Sequence, residues 1–468
     1  MLYNKAHSRS KHALFRLQIM PLSQITQIEK LLNIEEIAFY HSLLSRPIVT
    51  KIVKAEVNRY RQQIIENNAS VNHAELVKNI VSCLANYSII RTQPVINATG
   101  IVVHTNLGRS PLSHNVWQEA SKIVCRYSNL ELNLSNGKRG NRMGMLSEVL
   151  SCYFGGEANI VVNNNAAAVH LILKALANGK EVIVSRGEQV QIGGGFRIPE
   201  ILAESGAILR DVGTTNITTI DDYLNAINEN TAMVLIVHQS NYYIEGFTQQ
   251  VNIKQLAARL PKHIMLVVDQ GSGNQLNSIA NEPTVANYLA AGADLVCLSG
   301  DKMVGGPQSG IILGKKPLID QLAKHPMMRV FRPGKETYIL LEKLLIARLN
   351  QRDDAISAIE KLIAKPQQWH KDRAQQFVDI NPDKLQLQQT TFLIGGGTTP
   401  KAQYDTYAIA LNSQYSPSTL ITRLRQYSPA IIGVIQQNKV LIYPVTLFDD
   451  ELIIVKNCLM QLLNDPHF

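Results

Sequence analysis

The chain has 468 residues, 45% hydrophobic and 18% charged, the composition of a globular protein with a large buried core and room for roughly two to four domains. Its longest apolar runs, such as Ile264–Val268 and Leu295–Leu298, are far shorter than the ~20 residues a membrane-spanning helix needs, so no membrane segment is expected. The formal net charge is +9, and the five cysteines, odd in number and without a CxxC pair, read as reduced buried thiols in a cytoplasmic protein with no metal site.

Residues 1–20 are basic and mixed. Arg16 interrupts their only apolar stretch, so no secretory signal core is expected, and Met20, which precedes an orderly helical pattern, is an alternative start. From there to about residue 90, apolar residues recur at helical spacing: Ile25, Ile28, Leu31 and Leu32; Ile48, Ile52, Val53 and Val57; Leu76, Ile80, Cys83 and Leu84. Met1 to Arg91 carries twelve Lys/Arg against six acids, most of the net charge. A basic helical module attracts polyanions such as RNA, although a solvated helical face gives the same count.

Past Pro94 the composition changes and short apolar runs alternate with helical patterns. Strands are expected at Ala158–Val162, Glu181–Ser185, Ile208–Val212, Ala232–His238, Ile264–Asp269 and Leu295–Ser299, with helices such as Ala167–Ala177 and Phe196–Ser205 between them. Such alternation predicts an α/β domain with a mainly parallel sheet, and the lack of period-two alternation fits strands covered on both faces. After Arg332 a long helix, Tyr338–Leu349, leads into a C-terminal α+β region with short strands at Thr391–Ile394, Tyr407–Leu411, Ile431–Gln436 and Lys439–Tyr443, and a glycine run at Gly395–Gly397. The expected division is 1–92 helical, 93–335 α/β, and 336–468 linking helix plus small α+β domain.

Ligands of open α/β sheets bind at the carboxyl ends of strands, and three motifs fall there. Asn163-Asn164-Asn165-Ala166-Ala167-Ala168 joins a strand to a helix, where small side chains let a phosphate reach the helix N-terminus; an Asn-capped helix without a ligand has the same sequence. Asp269 ends a strand before Gly271-Ser272-Gly273, placed either to pair with a protonated ring nitrogen or to cap a turn. Ser299-Gly300-Asp301-Lys302, followed by Gly305-Gly306-Pro307, puts a lysine just past another strand, where a disfavoured ammonium makes a nucleophile toward an aldehyde. Phosphate cradle, strand-end aspartate and strand-end lysine in this order point together to pyridoxal 5'-phosphate, with Lys302 as its anchor.

The segments INATGIVVHTNLGRSPLS (Ile96–Ser113), VVNNNAAAV (Val161–Val169), VIVSRGEQVQIGGGFRIP (Val182–Pro199), VGTTN (Val212–Asn216), HQSNYYIEGFT (His238–Thr248) and SGDKMVGGPQSGII (Ser299–Ile312) resemble the bacterial L-seryl-tRNA(Sec) selenium transferase (selenocysteine synthase) family. The match runs from about Pro21 to Lys335, with a fainter trace to the C-terminus. The resemblance implies a pyridoxal-phosphate-dependent transferase of fold type I. Its substrate is serine esterified to the selenocysteine tRNA, which loses water and takes up selenium from selenophosphate. It implies catalytic roles for Lys302, Arg109, Arg329 and Arg332, the last two spaced to share one face if helical. Cofactor contacts fall to Lys302, Asp269, Asn165, Ala166, Ala167, His238 and Ser299, and substrate contacts to Arg142, Thr214, Thr215 and Asn241. It also implies an N-terminal domain that grips the tRNA, a cytoplasmic location, and a homo-oligomer, a homodecamer in the family, with active sites between subunits.

Three segments depart from the family's pattern. Gln270 follows Asp269 where the family usually carries Leu. Pro333-Gly334-Lys335 stands in place of a small residue and Asp-Lys, and is expected to disturb the start of the following helix. Leu441–Val445 stands where the family tends to read Leu-Asp-Leu-Arg, with Val445 at the arginine. These changes keep a second reading open: a related lyase acting on a small amino acid or amino sugar acid without tRNA. A third, a tRNA-binding protein without catalysis, is opposed by the joint retention of Asn163–Ala168, Asp269 and Lys302.

Overall fold

The computed structural model describes residues 25–67, 70–192, 195–240, 242–279, 282–395, 402–466 and 468. Met20, Gly193, Gly194, Asn241, Gly396 and Gly397 lie outside the described residues. The chain divides into two compact units, one ending at Pro94 and one starting at Val95.

The first unit is helical, with helices Ile28–Leu32, Glu35–Ala38, Tyr40–Leu44, Arg46–Asn67 and His73–Ser88. The long helix buries Val49, Ile52, Val53, Val57, Tyr60 and Ile64 in one cluster with Leu76, Ile80 and Leu84 of the last helix. The expected stripe is displaced at its start: Ile48 is 38% exposed and Val49 fully buried, because Val49, Val53 and Val57 hold the i, i+4 spacing on one face. Asn72 caps the last helix by accepting from the Glu75 N–H at 3.2 Å.

The second unit contains strands β1 (Val95–Asn97), β2 (Ile101–Val103), β3 (Ala158–Val162), β4 (Glu181–Ser185), β5 (Gln191–Ile192), β6 (Phe196–Arg197), β7 (Ile208–Val212), β8 (Thr231–Val237), β9 (Met265–Gly271), β10 (Leu295–Ser299), β11 (Gly310–Gly314), β12 (Leu385–Gly395), β13 (Gln403–Leu411), β14 (Ala430–Ile432), β15 (Val434–Gln436) and β16 (Lys439–Ile442). Its large sheet has the order β3-β11-β10-β9-β8-β4-β7. The run from β10 through β9, β8 and β4 to β7 is parallel, and β11 alone runs against its neighbours. Both faces are covered, as the unbroken apolar runs require: Val161, Val296 and Leu298 feed one core, Ile160, Val162, Leu295 and Cys297 the other. Each fully buried aliphatic side chain here contributes about 1.5–3 kcal/mol relative to exposure.

A second sheet has the order β15-β16-β13-β12-β2. Its long hairpin β12–β13 is mostly polar in its first half, so only the apolar ends stand out in the sequence. The expected strand Ile431–Gln436 breaks at Gly433 into β14, which pairs with β1, and β15, which pairs with β16. Helices Gln367–Val378 and Glu451–Leu463 pack on this half of the unit through Phe377, Val455 and Leu459.

The thiols correct one expectation. All five cysteines are free, but only Cys297 and Cys458 are buried; Cys83 is half-buried, and Cys125 and Cys152 are exposed. The helix after Arg332 corrects another. It runs from Lys335 to Leu349, with Gly334 at its N-cap position and Pro333 outside it, so neither residue interrupts helical hydrogen bonds. Among the described residues, no helix is long and apolar enough to cross a membrane.

Candidate active site

The loop after β10 is built by close backbone approach. Gly300 N–H donates to Ser309 O at 2.9 Å, Gly306 N–H to Gly300 O at 2.8 Å, and Gly305 N–H to Lys302 O at 2.9 Å. A Cβ at Gly300 would lie 2.1 Å from Ser309 Oγ, so only glycine lets the chain fold back here. The loop sets Asp301 between two donors: Arg109 at 2.6 Å and the Ser299 hydroxyl at 2.8 Å. Arg109 reaches Asp301 from a turn in which its own backbone is left-handed, φ 66°. Lys302 follows, and burial pushes its ammonium pKa down, with the Asp269 carboxylate pulling the other way.

Asp269 lies within β9 rather than at its end, because the strand continues to Gly271. Opposite it, Cys297 pairs with Asp269 and Leu298 with Gly271, so Gln270 is an extra residue in a bulge. The fully buried Gln270 side chain accepts from Gly273 N–H at 2.7 Å and donates to Pro283 O at 3.2 Å. The departure from leucine therefore ties down the loop after β9. Burial pushes the Asp269 carboxyl up, opposed by the Asn165 amide, which donates to Oδ1 at 2.8 Å, and by Lys302 and Cys297.

His238, directly after β8, is held from two sides. Its Nε2 lies 2.7 Å from Glu282 Oε2 and its Nδ1 3.0 Å from the Tyr288 hydroxyl. The Ser272 hydroxyl donates to the other Glu282 oxygen at 2.8 Å, and Met303 N–H, next to Lys302, donates to Ser272 O at 3.1 Å. Glu282 and Tyr288 carry no local motif; only the fold brings them to His238. Glu188, inside a recognised segment but not singled out by it, accepts from Val237 N–H at 2.8 Å, and burial pushes its carboxyl up to about 8.

Asn164 caps helix Asn165–Leu176 through Ala167 N–H at 2.8 Å, which places Asn165, Ala166 and Ala167 in its first turn. Beside it, β11 approaches so closely that a Cβ on Gly310 would lie 2.2 Å from Asn164 O. Asn165 Oδ1 is buried and has no hydrogen-bond partner among the described residues. These residues fit pyridoxal phosphate: a helix N-terminus for the phosphate, an unpartnered acceptor, a buried acid for the ring nitrogen and a lysine with a disfavoured charge for the aldehyde.

The predicted arginines separate. Arg109 joins the Lys302 loop, whereas Arg142, Arg329 and Arg332 line a cavity of about 700 Å3 beside edge strand β3, together with Arg139, Lys316 and Glu131. Arg329 ends a short 3-10 turn, Pro326–Arg329, and Arg332 lies beyond it, so a shared helical face is not what groups them. Asn163 N–H donates to Phe331 O at 2.8 Å, tying this segment to the helix N-terminus. Thr214 and Thr215 are exposed in the turn after β7. Val445 is buried, and the guanidinium at this segment is Arg373's, which donates to Pro444 O at 2.9 Å and Leu447 O at 2.7 Å.

The solved structure of D-glucosaminate-6-phosphate ammonia-lyase superposes with a TM-score of 0.58 at 20% identity, covering 81% of this chain and 97% of that one, a likeness of fold. The architecture is fold type I of the pyridoxal-phosphate enzymes, and pyridoxal 5'-phosphate is the cofactor. The L-seryl-tRNA(Sec) selenium transferase of Aquifex aeolicus is 39% identical over 456 residues, covering 95% of this chain and 99% of the relative. That of Alkaliphilus oremlandii is 39% identical over 439 residues, covering 90% and 94%. With the L-seryl-tRNA selenium transferase family model matching residues 95–448 as well, the chain belongs to that family.

Proposed function

We propose that this chain converts seryl-tRNA(Sec) to selenocysteinyl-tRNA(Sec), with selenophosphate as selenium donor and the site residues acting as follows. The observation that carries the reading is the buried pair Asp269, in β9, and Lys302, in the loop that follows the adjacent strand β10, each with its charge opposed by burial, beside a helix N-terminus with an unpartnered acceptor at Asn165. Pyridoxal phosphate, when bound, supplies an electron sink for the pair of electrons left at the α-carbon of the seryl group. Asp269 would hold a proton on the ring nitrogen, the first turn at Asn165–Ala167 would bind the phosphate, and His238, braced by Glu282 and Tyr288, would contact the cofactor. Lys302 would hold the aldehyde end of the cofactor, and its amine is the group placed to take the α-proton of the seryl group. Ser299 orients Asp301, which aims Arg109 at the same site.

Arg142, Arg329 and Arg332 bind the tetrahedral oxyanion of selenophosphate through their forked donors. Thr214 and Thr215 contact the seryl group. Lys51, Lys54 and Arg61 are exposed on the long N-terminal helix, away from its buried stripe, and bind phosphates of the tRNA. Exposed Tyr127, Leu132, Leu134 and Met145, an apolar set unusual for a solvated surface, support a homo-oligomer that covers them. The free thiols fit a cytoplasmic location.

The test is direct. The protein is mixed with selenophosphate and either seryl-tRNA(Sec) or free serine. Selenium is expected on the tRNA-bound amino acid in the first mixture and no selenocysteine in the second. Turnover of free serine with none of the charged tRNA would favour the lyase instead.

A further inference from the structure

Among the described residues lining the arginine cavity, the acids are Glu131 and Asp320, and Asp320 is paired with Lys316 at 2.7 Å. Three guanidinium groups converge on Glu131. Arg142 Nε donates to Glu131 Oε1, Arg139 lies 3.2 Å from Oε2, and Arg332 lies 3.9 Å from Oε1. Glu131, Arg139 and Arg142 belong to one folded-back loop, in which Gly140 N–H donates to Glu131 O at 2.9 Å and Asn133 N–H to Lys138 O at 2.8 Å. Arg332 comes from a distant part of the chain. Without an anion, like charges this close repel, and one carboxylate offsets that repulsion. The same arrangement is what a tetrahedral oxyanion requires, and the Glu131 side chain, 32% exposed, has room to leave.

We propose that Glu131 is a built-in occupant of the oxyanion site: it holds the guanidinium groups together until an oxyanion displaces it, and it returns when that anion leaves. The inference rests on the reading of Arg142, Arg329 and Arg332 as the oxyanion site. Arg142 holds the Glu131 carboxyl below the usual range, so the occupant is charged at neutral pH. Displacement lowers anion affinity but makes release of product phosphate fast. A salt bridge that serves only to shape the site behaves in the opposite way, since its loss scatters the arginines and weakens binding.

Inorganic phosphate, titrated calorimetrically into the cofactor-loaded protein, separates these outcomes. Glu131→Gln is expected to bind phosphate about tenfold or more tightly than the native protein, with slower dissociation. Glu131→Asp, too short to reach Arg142 in the same way, is expected to shift in the same direction and guards against misfolding of the first variant. Unchanged or weaker binding in either folded variant overturns the proposal. If native protein binds no phosphate at millimolar concentration and Arg332→Ala changes nothing, the oxyanion-site reading itself fails. If native binding depends on Arg332 but does not tighten on loss of Glu131, only the displacement idea fails.

Discussion

At the scale of single residues the proposed chemistry rests on opposed neutralisations. Burial disfavours the Lys302 ammonium and the Asp269 carboxylate alike, while each favours the charge of the other. A lysine in that position is poised as a neutral nucleophile, and an acid in that position waits for a cationic partner. Lys302→Ala is expected to fold, to lose the visible absorbance that pyridoxal phosphate gives on covalent capture, and to lose activity below detection. A native-size absorbance band in that variant would remove Lys302 from its role. Lys302, Asp269 and Asn165 stand out in the sequence because apolar runs followed closely by glycine or small residues announce a candidate ligand site, although Asp269 lies inside β9. Glu282 and Tyr288 were not, because each reads as an ordinary surface acid or core aromatic until the fold brings it to His238.

At the scale of elements, most strands of the large sheet were legible as apolar runs, and β3, β4, β7 and β10 begin and end where the runs do. Strand β11 was not: three apolar residues between two glycines resemble a loop, and nothing local says that they insert antiparallel between β3 and β10. That insertion brings Gly310 against the backbone of Asn164, which caps the helix proposed to bind the cofactor phosphate. Gly310→Ala must push one backbone from the other, so it is expected to cost about 1–3 kcal/mol of stability and to weaken cofactor binding at the same time. Denaturant melts and cofactor titration check both; loss of stability with unchanged cofactor affinity would separate β11 from the phosphate cradle. The helix at Lys335 carries the converse lesson, since a proline and a glycine that stand before the first helical residue leave its hydrogen bonds intact.

At the scale of the whole molecule, buried acids link stability to pH. Glu188 titrates at about 8 in the folded protein against an ordinary 4.5. Between those values the unfolded chain has released its proton and the folded chain keeps it. Stability therefore falls as pH rises from about 4.5 to about 8, then levels off. The Val237 N–H, donating at 2.8 Å, favours the ionised Glu188 carboxylate, and burial outweighs it. Glu188→Gln cannot ionise, and its melting temperature relative to the native protein is expected to rise across that window and to stay level outside it. A gap that is constant at about pH 5, 7 and 9 would contradict this assignment.

The sequence by itself determined the layered α/β architecture and the three chemical motifs, because burial patterns, glycine spacing and strand-end position are local properties that each segment carries alone. Tertiary structure decided what those motifs face. It ran β2, from near the start of the second unit, alongside β12 from the C-terminal half. It packed Met303, next to Lys302, into the cluster that contains Phe392 and Ile394 of that half. It also set Arg109 on Asp301 while gathering Arg142 and Arg332 around Glu131 in a cavity that Arg329 also lines. Pairings between segments hundreds of residues apart depend on which surfaces remain to be covered once each element has formed, and no short stretch of chain holds that information.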